Sequence, residues 1–592
     1  MGSNTQSLIG AVARYLLYGT VALATLEVVG VSSFVPLGRL TVIATTALGA
    51  AAIVRYRNAD SSSDRKGERQ GRLSADQPST RVVLAILLVL FLTGGVLRGY
   101  ALGAPSFWFD EAISANAAIS VLEDGRPTFP SGYTYWRGLP HTLAVVGSMA
   151  AFGTDEAAAR LPSVVFGVVT IGATYWLGRD VGGRHIGLLA AVFVTFATWE
   201  IAWSRQARMY QLFQLLYVLA LVSLLRVERT WFEDRWAVVA LVIVATLAMA
   251  THQIGYVLLP VAVVYLGLVA LVDGKISGRI VGGAFVGSLV LMLAAVVELG
   301  AGGVFYLLDG AANPSVSYWD AYAGWLLNEF RGVVYLGVAG AAVTFYRGWY
   351  RPGALLVLSI IPPVWILSFH TELFATRYLY FGLPVLFVWA ALTIDYVALV
   401  ASGMGGTAGD RVRKMGWSES RADEGSESRV GTDTGTTCRT CLVAAAIVTF
   451  LLLGGGFTAV PQAEYELGMN APQPDFKGAY EHVNEHREPD DVIVAGWTAP
   501  GVYYAGEIDY WLAHDLTGTG ADWTSDGGER YAGAEPLETT EDLEAVMDEH
   551  DRGWIVVDEI ALARQSPELR SELESMPSYR SDSVYVFYWE RS

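Results

Sequence analysis

Two adjacent carboxylates, Asp110 and Glu111, stand in the segment SFWFDEAISANAA, shortly after an apolar stretch long enough to cross a bilayer. Charged side chains near membrane depth are costly to bury and usually mark a functional site. A carboxylate in a partly desolvated cleft can accept a proton from a hydroxyl group or hold a cation. The structural alternative is an interfacial helix that begins at Asp110, with the acid as its N-cap. Both acids are candidate catalytic residues.

Arginine and tyrosine side chains form a second set of candidates. Arg205, Arg208 and Tyr210 lie in WSRQARMYQ, and Arg377 and Tyr378 lie in HTELFATRYLY. Guanidinium groups suit bidentate binding of a phosphate or a carboxylate. The alternative is snorkelling, in which a long side chain at a helix end reaches to the interface. We favour anion binding, because the orientation derived below places these arginines on the outer side, where membrane proteins carry fewer basic residues.

Two histidines and one pair of opposite charges complete the candidates. His252 lies in ATHQIGY and could bind a ligand or pack between helices, and His141 in GLPHTL is a further candidate for ligand binding. Glu156 and Arg160 in TDEAAARLPS are four residues apart, so they are expected to pair on one helix face. The alternative is that these four side chains contribute to the same site as the arginines.

The composition indicates that a polytopic membrane protein positions these residues. Hydrophobic residues make up 53% of the 592 residues, and the mean hydropathy is +0.38. A spanning helix needs about 20 apolar residues. We predict thirteen spans: 8–31, 37–54, 82–102, 157–177, 186–201, 210–225, 236–250, 254–272, 280–297, 333–345, 354–369, 379–399 and 442–460.

The short apolar segment Leu139–Phe152 decides the orientation. If this segment does not span, the loops rich in Lys and Arg all fall on one side, as the positive-inside rule requires. We therefore place it at the outer membrane surface. The polar segments around Asp110, Arg208, His252 and Arg377 then share the outer face, and the C-terminal tail also lies outside.

The predicted spans divide the chain into a membrane region and a tail domain. The divisions are an N-terminal hairpin (1–54), a cytoplasmic linker (55–81), a core (82–400) with an outer loop (103–156), a second linker (401–441), a last helix (442–460) and an extracytoplasmic domain (461–592). Cys438 and Cys441 form a lone CxxC, which cannot complete a four-ligand zinc site.

The tail domain has a strongly acidic surface. It carries 29 acidic and 8 basic side chains, whereas the rest of the chain carries 29 acidic and 32 basic ones. This balance argues against a nucleic acid partner, and the scarcity of lysine resembles the composition of proteins from salt-loving archaea. Apolar runs at 491–496, 553–559 and 584–589 alternate with helical patterns such as 539–550, which predicts an open α/β fold.

Four motifs in order, SFWFDEA, TDEAAARLPS, SRQARMY and TRYLYFGLP, resemble the GT-C glycosyltransferases of the protein O-mannosyltransferase and lipid A aminoarabinose-transferase type. The resemblance covers about residues 82–400 and implies a GT-C fold. The WWDYG signature of oligosaccharyltransferases is absent from the chain. A lysine that contacts the carrier phosphate in some members also has no match, and Arg137 or His141 is the expected substitute.

The resemblance implies transfer of a hexose, with mannose as the expected sugar, from dolichyl or polyprenyl phosphate. The acceptor would be a glycan, a protein or a lipid on the outer membrane face. Asp110 matches the family's catalytic acid and would act as the general base of an inverting reaction. The arginines would stabilise the charge that grows on the phosphate. No metal is expected to be obligatory, although Asp110, Glu111 and Glu156 leave a divalent cation open.

The alternative in a different class is a transporter or lipid-sugar flippase without transferase chemistry. Transporters commonly show repeated halves with interrupted helices near the midplane of the bilayer. The sequence has no recognisable internal repeat, and its charged residues collect at one predicted surface. A non-catalytic scaffold that presents the acidic tail is the third alternative. We therefore favour the glycosyltransferase.

Overall fold

The computed structural model describes residues 78–274, 317–369, 371, 374–404, 456–465, 467, 472–514 and 528–591. A helical region extends to residue 404, and a compact α/β domain occupies the tail. The helices of the first region are α1 (Thr80–Gly99), α2 (Phe109–Asp124), α3 (Leu139–Phe152), α4 (Glu156–Gly182), α5 (Arg184–Phe196), α6 (Thr198–Ser204), α7 (Tyr210–Thr230), α8 (Arg235–Thr251), α9 (Leu258–Val272), α10 (Trp319–Tyr346), α11 (Tyr350–Phe369) and α12 (Leu383–Met404). Short 3₁₀ turns at Gln253–Val257, Thr376–Tyr378 and Tyr380–Gly382 precede α9 and α12.

Nine of the thirteen predicted spans correspond to helices in the described residues. Seven of the described helices are long and apolar enough to cross a membrane, and α5 and α8 are shorter apolar helices. The predicted spans 8–31, 37–54 and 280–297 lie outside the described residues, as does most of 442–460. α3 has 14 residues, which is shorter than a spanning helix requires.

The predicted span 186–201 is interrupted at Ala197, where backbone of residues 456–458 hydrogen-bonds to it. α5 ends at Phe196, Ala197 is extended, and α6 begins at Thr198. The amide of Thr198 donates to Gly456 O at 2.9 Å, and the amide of Thr458 donates to Phe196 O at 2.8 Å. Backbone of the 456–458 segment therefore satisfies groups that a continuous helix would have bonded internally.

α10 begins 14 residues before the predicted span 333–345. Its first half contains polar residues, so hydropathy does not identify that half as part of a span. The helix is kinked at Phe330, whose backbone is not helical. Gly456 passes close to the carbonyl of Glu329, where a Cβ atom would clash, and its φ of 87° suits glycine. The chain that enters the tail domain therefore packs tightly against this kink.

The tail domain has the predicted α/β architecture. Its elements are α13 (Phe476–His486), β1 (Val492–Ala495), α14 (Thr498–Ala505), β2 (Tyr510–Leu512), β3 (Glu535–Leu537), α15 (Thr540–Glu549), β4 (Arg552–Asp558), α16 (Glu559–Leu562), α17 (Pro567–Ser575), β5 (Ser578–Ser581) and β6 (Val584–Glu590). The sheet order is β3-β2-β1-β4-β6-β5. The pairs β3–β2, β2–β1 and β1–β4 are parallel, and the pairs β4–β6 and β6–β5 are antiparallel. The three strands predicted from sequence are β1, β4 and β6.

The two regions meet around α2. Helix α14 of the tail domain packs against α2, and α2 packs against α3 on another side. Phe109 lies 4.6 Å from Trp497 and Phe107 lies 4.9 Å from Tyr503, measured between ring centroids. The helix that carries Asp110 and Glu111 is therefore held between the membrane region and the tail.

Candidate active site

The first turn of α2 presents the two carboxylates to different surroundings. The helix begins at Phe109, and its N-cap is Trp108, whose side chain makes no capping hydrogen bond. The alternative in which Asp110 caps the helix is therefore wrong, because the helix begins one residue earlier. Successive residues of a helix point about 100° apart, so Asp110 and Glu111 face different neighbours.

Glu111 is fully buried and has partners on both oxygens. Arg160 donates to it through Nε at 2.8 Å and Nη2 at 2.7 Å, and the amide of Ala207 donates to Glu111 Oε1 at 2.7 Å. The remaining donors of Arg160 bind the carbonyl groups of Leu102, Pro105 and Ser106. This closed ion pair joins α2 and α4 to the segment before α2 and to the 205–209 loop.

Asp110 lies in a more open arrangement. Its Oδ2 atom is 3.6 Å from Arg208 Nη2 and 3.7 Å from Arg377 Nη2, distances longer than hydrogen bonds. Among the described residues Oδ2 is buried and has no hydrogen-bond partner, although 16% of the side chain is exposed. Unlike Glu111, this carboxylate keeps an oxygen available for a ligand.

The charge of Asp110 depends on its cationic neighbours. Burial alone raises the pKa of the Asp110 carboxyl. The guanidinium groups of Arg208, Arg377 and Arg137, here called the arginine cluster, outweigh burial and hold that pKa below its usual value. Asp110 is therefore ionised at neutral pH.

Arg208 is buried and is positioned by the outer loop. Its Nη1 donates to Asp110 O at 2.9 Å, to Ser114 Oγ at 3.1 Å and to Tyr135 Oη at 3.3 Å. Its Nε is buried and has no partner among the described residues. A buried unpaired donor on a cation is costly, and an anionic ligand would satisfy it.

Aromatic side chains surround the other two members of the cluster. Arg377 Nε donates to Tyr210 Oη at 3.1 Å, and its guanidinium lies over the ring of Trp108 at 5.9 Å from the centroid. Arg137 is accessible to solvent and hydrogen-bonds Tyr378. The site therefore opens to solvent on the side of Arg137.

His252 adds a third buried atom that has no partner among the described residues, after Asp110 Oδ2 and Arg208 Nε. Its ring lies 5.6 Å from that of Tyr210 and 5.9 Å from that of Tyr378. Burial and the arginine cluster lower the pKa of His252 to about 3, so the ring is neutral at neutral pH. Nδ1 accepts from the amide of Ile254 at 3.2 Å, so the proton is assigned to Nε2. In the part of the chain that the structure describes, Nε2 has no partner.

His141 and Arg205 have structural partners. His141 Nε2 lies 3.2 Å from Ser163 Oγ, and burial together with Arg208 lowers the pKa of His141 to about 3. Arg205 donates to the carbonyl groups of Arg98, Tyr100 and Ala463. Arg205 therefore ties α1 to the segment that leads into the tail domain, whereas His141 lies close to Arg208 and remains a neighbour of the site.

The expected pairing of Glu156 with Arg160 is wrong. Arg160 binds Glu111, and Glu156 Oε1 instead accepts from Tyr504 Oη at 3.0 Å and lies 3.3 Å from Lys477 Nζ. Both partners of Glu156 belong to the tail domain, which a spacing rule within one helix cannot reveal.

Two residues that position Arg208 were not recognised in the sequence. Ser114 follows Asp110 by four residues, so helical spacing could have indicated that it shares a face with Asp110. Tyr135 lies in the outer loop between two aromatic neighbours, and no spacing rule distinguishes it from them.

The sequence also offered no indication of a buried network of polar and charged side chains between the helices that carry the site. Glu200 accepts from Gln214 Nε2 and Tyr380 Oη, both at 2.9 Å, and Arg98 Nε donates to Ser204 Oγ at 3.0 Å. Gln211 joins these two parts through Ser204 and Tyr380. The network fixes α6 and α7 relative to the turn that follows Arg377.

The three acids considered as cation ligands do not converge. Asp110 faces the arginine cluster, Glu111 binds Arg160, and Glu156 binds the tail domain. Within the described ranges, no group of three or more His, Cys, Asp or Glu side chains is arranged to hold a metal ion. Cys438 and Cys441 lie outside those ranges.

Comparisons with known proteins place this geometry in a structural context. The family model for dolichyl-phosphate-mannose-protein mannosyltransferases matches residues 141–299. No curated protein sequence matches the chain. The match includes most of α3 and all of α4 to α9, a stretch that contributes the arginine-bearing loop and His252 to the site.

Two solved structures resemble the whole fold. One is ArnT from Cupriavidus metallidurans bound to undecaprenyl phosphate, with a TM-score of 0.53 and 13% identity over 86% of this chain and 98% of that one. The other is the archaeal oligosaccharyltransferase AglB from Archaeoglobus fulgidus, in complex with an inhibitory peptide and a dolichol-phosphate. Its TM-score is 0.54, with 14% identity over 86% of this chain and 74% of that one. TM-scores above 0.5 over most of the chain show a shared fold in spite of the low identities, so the predicted GT-C fold class is confirmed, whereas the predicted count of thirteen spans is not.

Proposed function

We propose that the chain, which has the GT-C fold, is a membrane glycosyltransferase that moves a hexose from a polyprenyl or dolichyl phosphate to an acceptor hydroxyl. Asp110 is the general base, and Arg208, Arg377 and Arg137 bind the phosphate. One observation carries this proposal. Among the described residues, Asp110 Oδ2, Arg208 Nε and His252 Nε2 are all buried without partners. Arg208 and His252 both lie against the ring of Tyr210, and Asp110 Oδ2 lies 3.6 Å from Arg208 Nη2.

The proposed reaction needs one base. As the acceptor oxygen forms a bond to the anomeric carbon, its proton passes to Asp110 Oδ2, and the bond from that carbon to the phosphate oxygen breaks. The electron pair of the broken bond remains on the phosphate. Attack from the face opposite the phosphate inverts the anomeric centre, so a β-linked donor gives an α-linked product.

The arginine cluster supplies the electrostatic part of the reaction. Carrier phosphate gains negative charge as the sugar leaves, and guanidinium groups in a water-poor site stabilise that charge strongly. The proton on His252 Nε2 would add one neutral hydrogen bond to a phosphate or sugar oxygen. Binding of the anion also offsets the positive field at Asp110, which would raise the pKa of that carboxyl and make it a stronger base when the donor is present.

Glu111 has a different proposed role from Asp110. Both Glu111 oxygens are occupied by Arg160 and the amide of Ala207, so we assign it to positioning the helix rather than to proton transfer. Tyr210 orients Arg377, and Tyr378 orients Arg137, each through a hydrogen bond that its hydroxyl group accepts. We assign His141 to packing beside Arg208. Arg205, Glu156 and Arg160 act on the donor site only through the backbone that they hold.

The finer assignments rest on similarity. The matching family model describes transfer of mannose from dolichyl phosphate, which supports mannose as the sugar. The similar structures hold undecaprenyl phosphate in one case and a dolichol-phosphate with a peptide in the other. A lipid-phosphate donor, an acceptor that is a glycan, a protein or a lipid, and an extracytoplasmic site in the cell membrane follow as proposals.

The test uses the full chain in proteoliposomes with dolichyl phosphates that carry radiolabelled mannose, glucose or galactose. Transfer of one sugar to a mixture of membrane glycolipid and protein acceptors is expected, and Asp110→Asn should slow it by about 10²- to 10⁴-fold. Labelled lipid that crosses the bilayer with its sugar still attached would identify a flippase and contradict the proposal. Retention of all three sugars on the carrier, in protein shown to bind the lipid, would also contradict it.

A further inference from the structure

The segment that leads into α2 is held from two sides. On one side, Arg160 donates to Pro105 O at 2.7 Å and to Ser106 O at 2.9 Å. On the other side, the tail domain reaches the next residues of the same segment. The first side belongs to the membrane region, whereas the second depends on residues of the tail domain, far along the chain.

Tyr504 of the tail domain is the centre of the second contact. Its Oη accepts from the amide of Phe107 at 2.8 Å and donates to Glu156 Oε1 at 3.0 Å. Phe107 is fully buried, so without Tyr504 its amide would have no route to water. The same hydroxyl therefore fixes the backbone three residues before Asp110 and the first residue of α4.

A second tail-domain residue strengthens this contact. The amide of Lys477 donates to Ser106 Oγ at 2.9 Å, and its Nζ lies 3.3 Å from Glu156 Oε1. Lys477 is the only lysine of the tail domain. Its side chain is 40% exposed, so salt screens the ion pair, whereas the hydrogen bonds of the buried Tyr504 hydroxyl do not depend on salt in this way.

The tail domain also covers one face of α2 itself. Asn116 Nδ2 donates to the carbonyl of Ala499 at 2.8 Å, and both residues are buried. Phe109, the residue before Asp110, packs against Trp497 at 4.6 Å. These contacts fix the face of α2 that turns away from the arginine cluster, so the direction of the Asp110 side chain depends on the tail domain.

We propose that Tyr504 is a positioning residue for the transfer reaction, and that the tail domain completes the active site by fixing the segment before Asp110. This inference rests on the proposed function of Asp110 as the base. A shift of about 1 Å in a reacting group costs roughly 100-fold in rate. Loss of the Tyr504 hydroxyl is therefore expected to lower kcat by about 10- to 100-fold.

The chain offers a matched control for this substitution. The ring of Tyr480 is stacked on that of Tyr504 at 6.4 Å between centroids, and the hydroxyl of Tyr480 is buried. That hydroxyl has no hydrogen-bond partner in the stretches that the structure describes. Tyr480→Phe therefore removes the same atom from the same domain without touching the segment before Asp110.

The experiment compares Tyr504→Phe, Tyr480→Phe and wild type as full-length protein, with kcat corrected for the fraction that binds polyprenyl phosphate. Tyr504→Phe should lower kcat, leave the donor KM unchanged and speed hydrogen exchange in residues 106–111. Tyr480→Phe should change none of these. Equal kcat and equal exchange in the two variants would overturn the inference. A lower kcat that disappears after correction for folded protein would also overturn it.

Asp110→Asn in the same assay separates this inference from the proposed function. If Asp110→Asn transfers sugar at the wild-type rate, the base assignment fails, whatever Tyr504→Phe does. If Asp110→Asn is inactive while Tyr504→Phe matches Tyr480→Phe, only the role of the tail domain fails. The exchange measurement does not depend on activity, so it tests the contact of Tyr504 with Phe107 in either case.

Discussion

Two neighbouring carboxylates in one helical turn have opposite environments. Glu111 is enclosed, with two oxygens bonded to Arg160 at 2.7 and 2.8 Å. Asp110 faces two arginines at 3.6 and 3.7 Å and retains an oxygen without a partner among the described residues. An arginine close to a carboxylate therefore has two different roles in this protein. A closed pair fixes backbone, and an open pair leaves both charges available to a substrate.

The difference follows from what else each arginine binds. The remaining N–H groups of Arg160 donate to backbone carbonyl groups, so the pair with Glu111 is complete without a ligand. Arg208 donates to the backbone oxygen of Asp110, and its Nε has no partner in the part of the chain that the structure describes. The open site is therefore the place where an anion and a hydroxyl group can bind together.

The largest expected effect is on catalysis at the open carboxylate. Asp110→Asn keeps the shape of the side chain but removes the base, so kcat should fall by about 10²- to 10⁴-fold. The thermal unfolding temperature should stay close to that of wild type, since no closed pair is broken. Steady-state transfer and unfolding in detergent measure the two quantities, and a large drop in unfolding temperature would count against the open arrangement.

At the closed carboxylate the expected effect is on folding. Glu111→Gln leaves Arg160 buried and without its charge partner, which costs about 3–5 kcal/mol in the free energy of unfolding. The control is Glu574→Gln, which breaks an exposed pair with Arg570 and should cost less than about 1 kcal/mol. Equal stability of the two variants, measured by thermal unfolding, would show that the Glu111 pair is not structural.

Removal of one member of the arginine cluster should weaken donor binding and shift the pH profile. Arg208→Gln removes charged hydrogen bonds worth about 1.5–3 kcal/mol, so the donor KM should rise roughly 10- to 100-fold. Arg208 also lowers the pKa of Asp110, so its removal raises that pKa. Because Asp110 must be ionised to accept a proton, the acidic limb of kcat/KM should move to higher pH.

The control for the pH profile is Arg226→Gln, which removes a positive charge from an exposed pair with Asp234. This variant should leave the acidic limb where wild type has it. An acidic limb that moves equally in both variants, or moves to lower pH in Arg208→Gln, would contradict the assignment of that limb to Asp110.

The smallest expected effect is at His252. Gln can present an N–H group near the position of His Nε2, whereas Ala cannot, so His252→Gln should keep more donor affinity than His252→Ala. The loss in the Ala variant should be about 3- to 10-fold in donor KM, the size of one neutral hydrogen bond. Identical KM values for both variants and wild type would remove His252 from the donor site.

Much of the architecture was accessible from the sequence. Apolar segments of spanning length identified nine helices, and the α/β pattern of the tail identified β1, β4 and β6. The early start of α10 was not accessible because its first half contains polar residues, and the break at Ala197 was not accessible because it depends on backbone hydrogen bonds with residues 456–458. Hydropathy describes how one segment partitions between water and an apolar environment. It contains no information about contacts with a segment far along the chain.

The site shows the same division between local and distant information. Residue type and predicted orientation were enough to bring Asp110, Arg208 and Arg377 together. The partners of Glu111 and Glu156 were not accessible, because Arg160 lies 49 residues from Glu111 and Tyr504 lies 348 residues from Glu156. Spacing within one helix suggested a Glu156–Arg160 pair, whereas in the fold Arg160 binds Glu111 and Glu156 binds Tyr504 and Lys477 of the tail domain.

The most direct test of the open site is the affinity of sugar-free polyprenyl phosphate for Asp110→Asn, measured in detergent beside wild type. Our account predicts that this variant binds the lipid phosphate at least as tightly as wild type, because a negative charge beside the anion has been removed, while sugar transfer is lost. Parallel loss of binding and transfer in this variant would contradict the account, because Asp110 would then be holding the arginine cluster together rather than serving as the base.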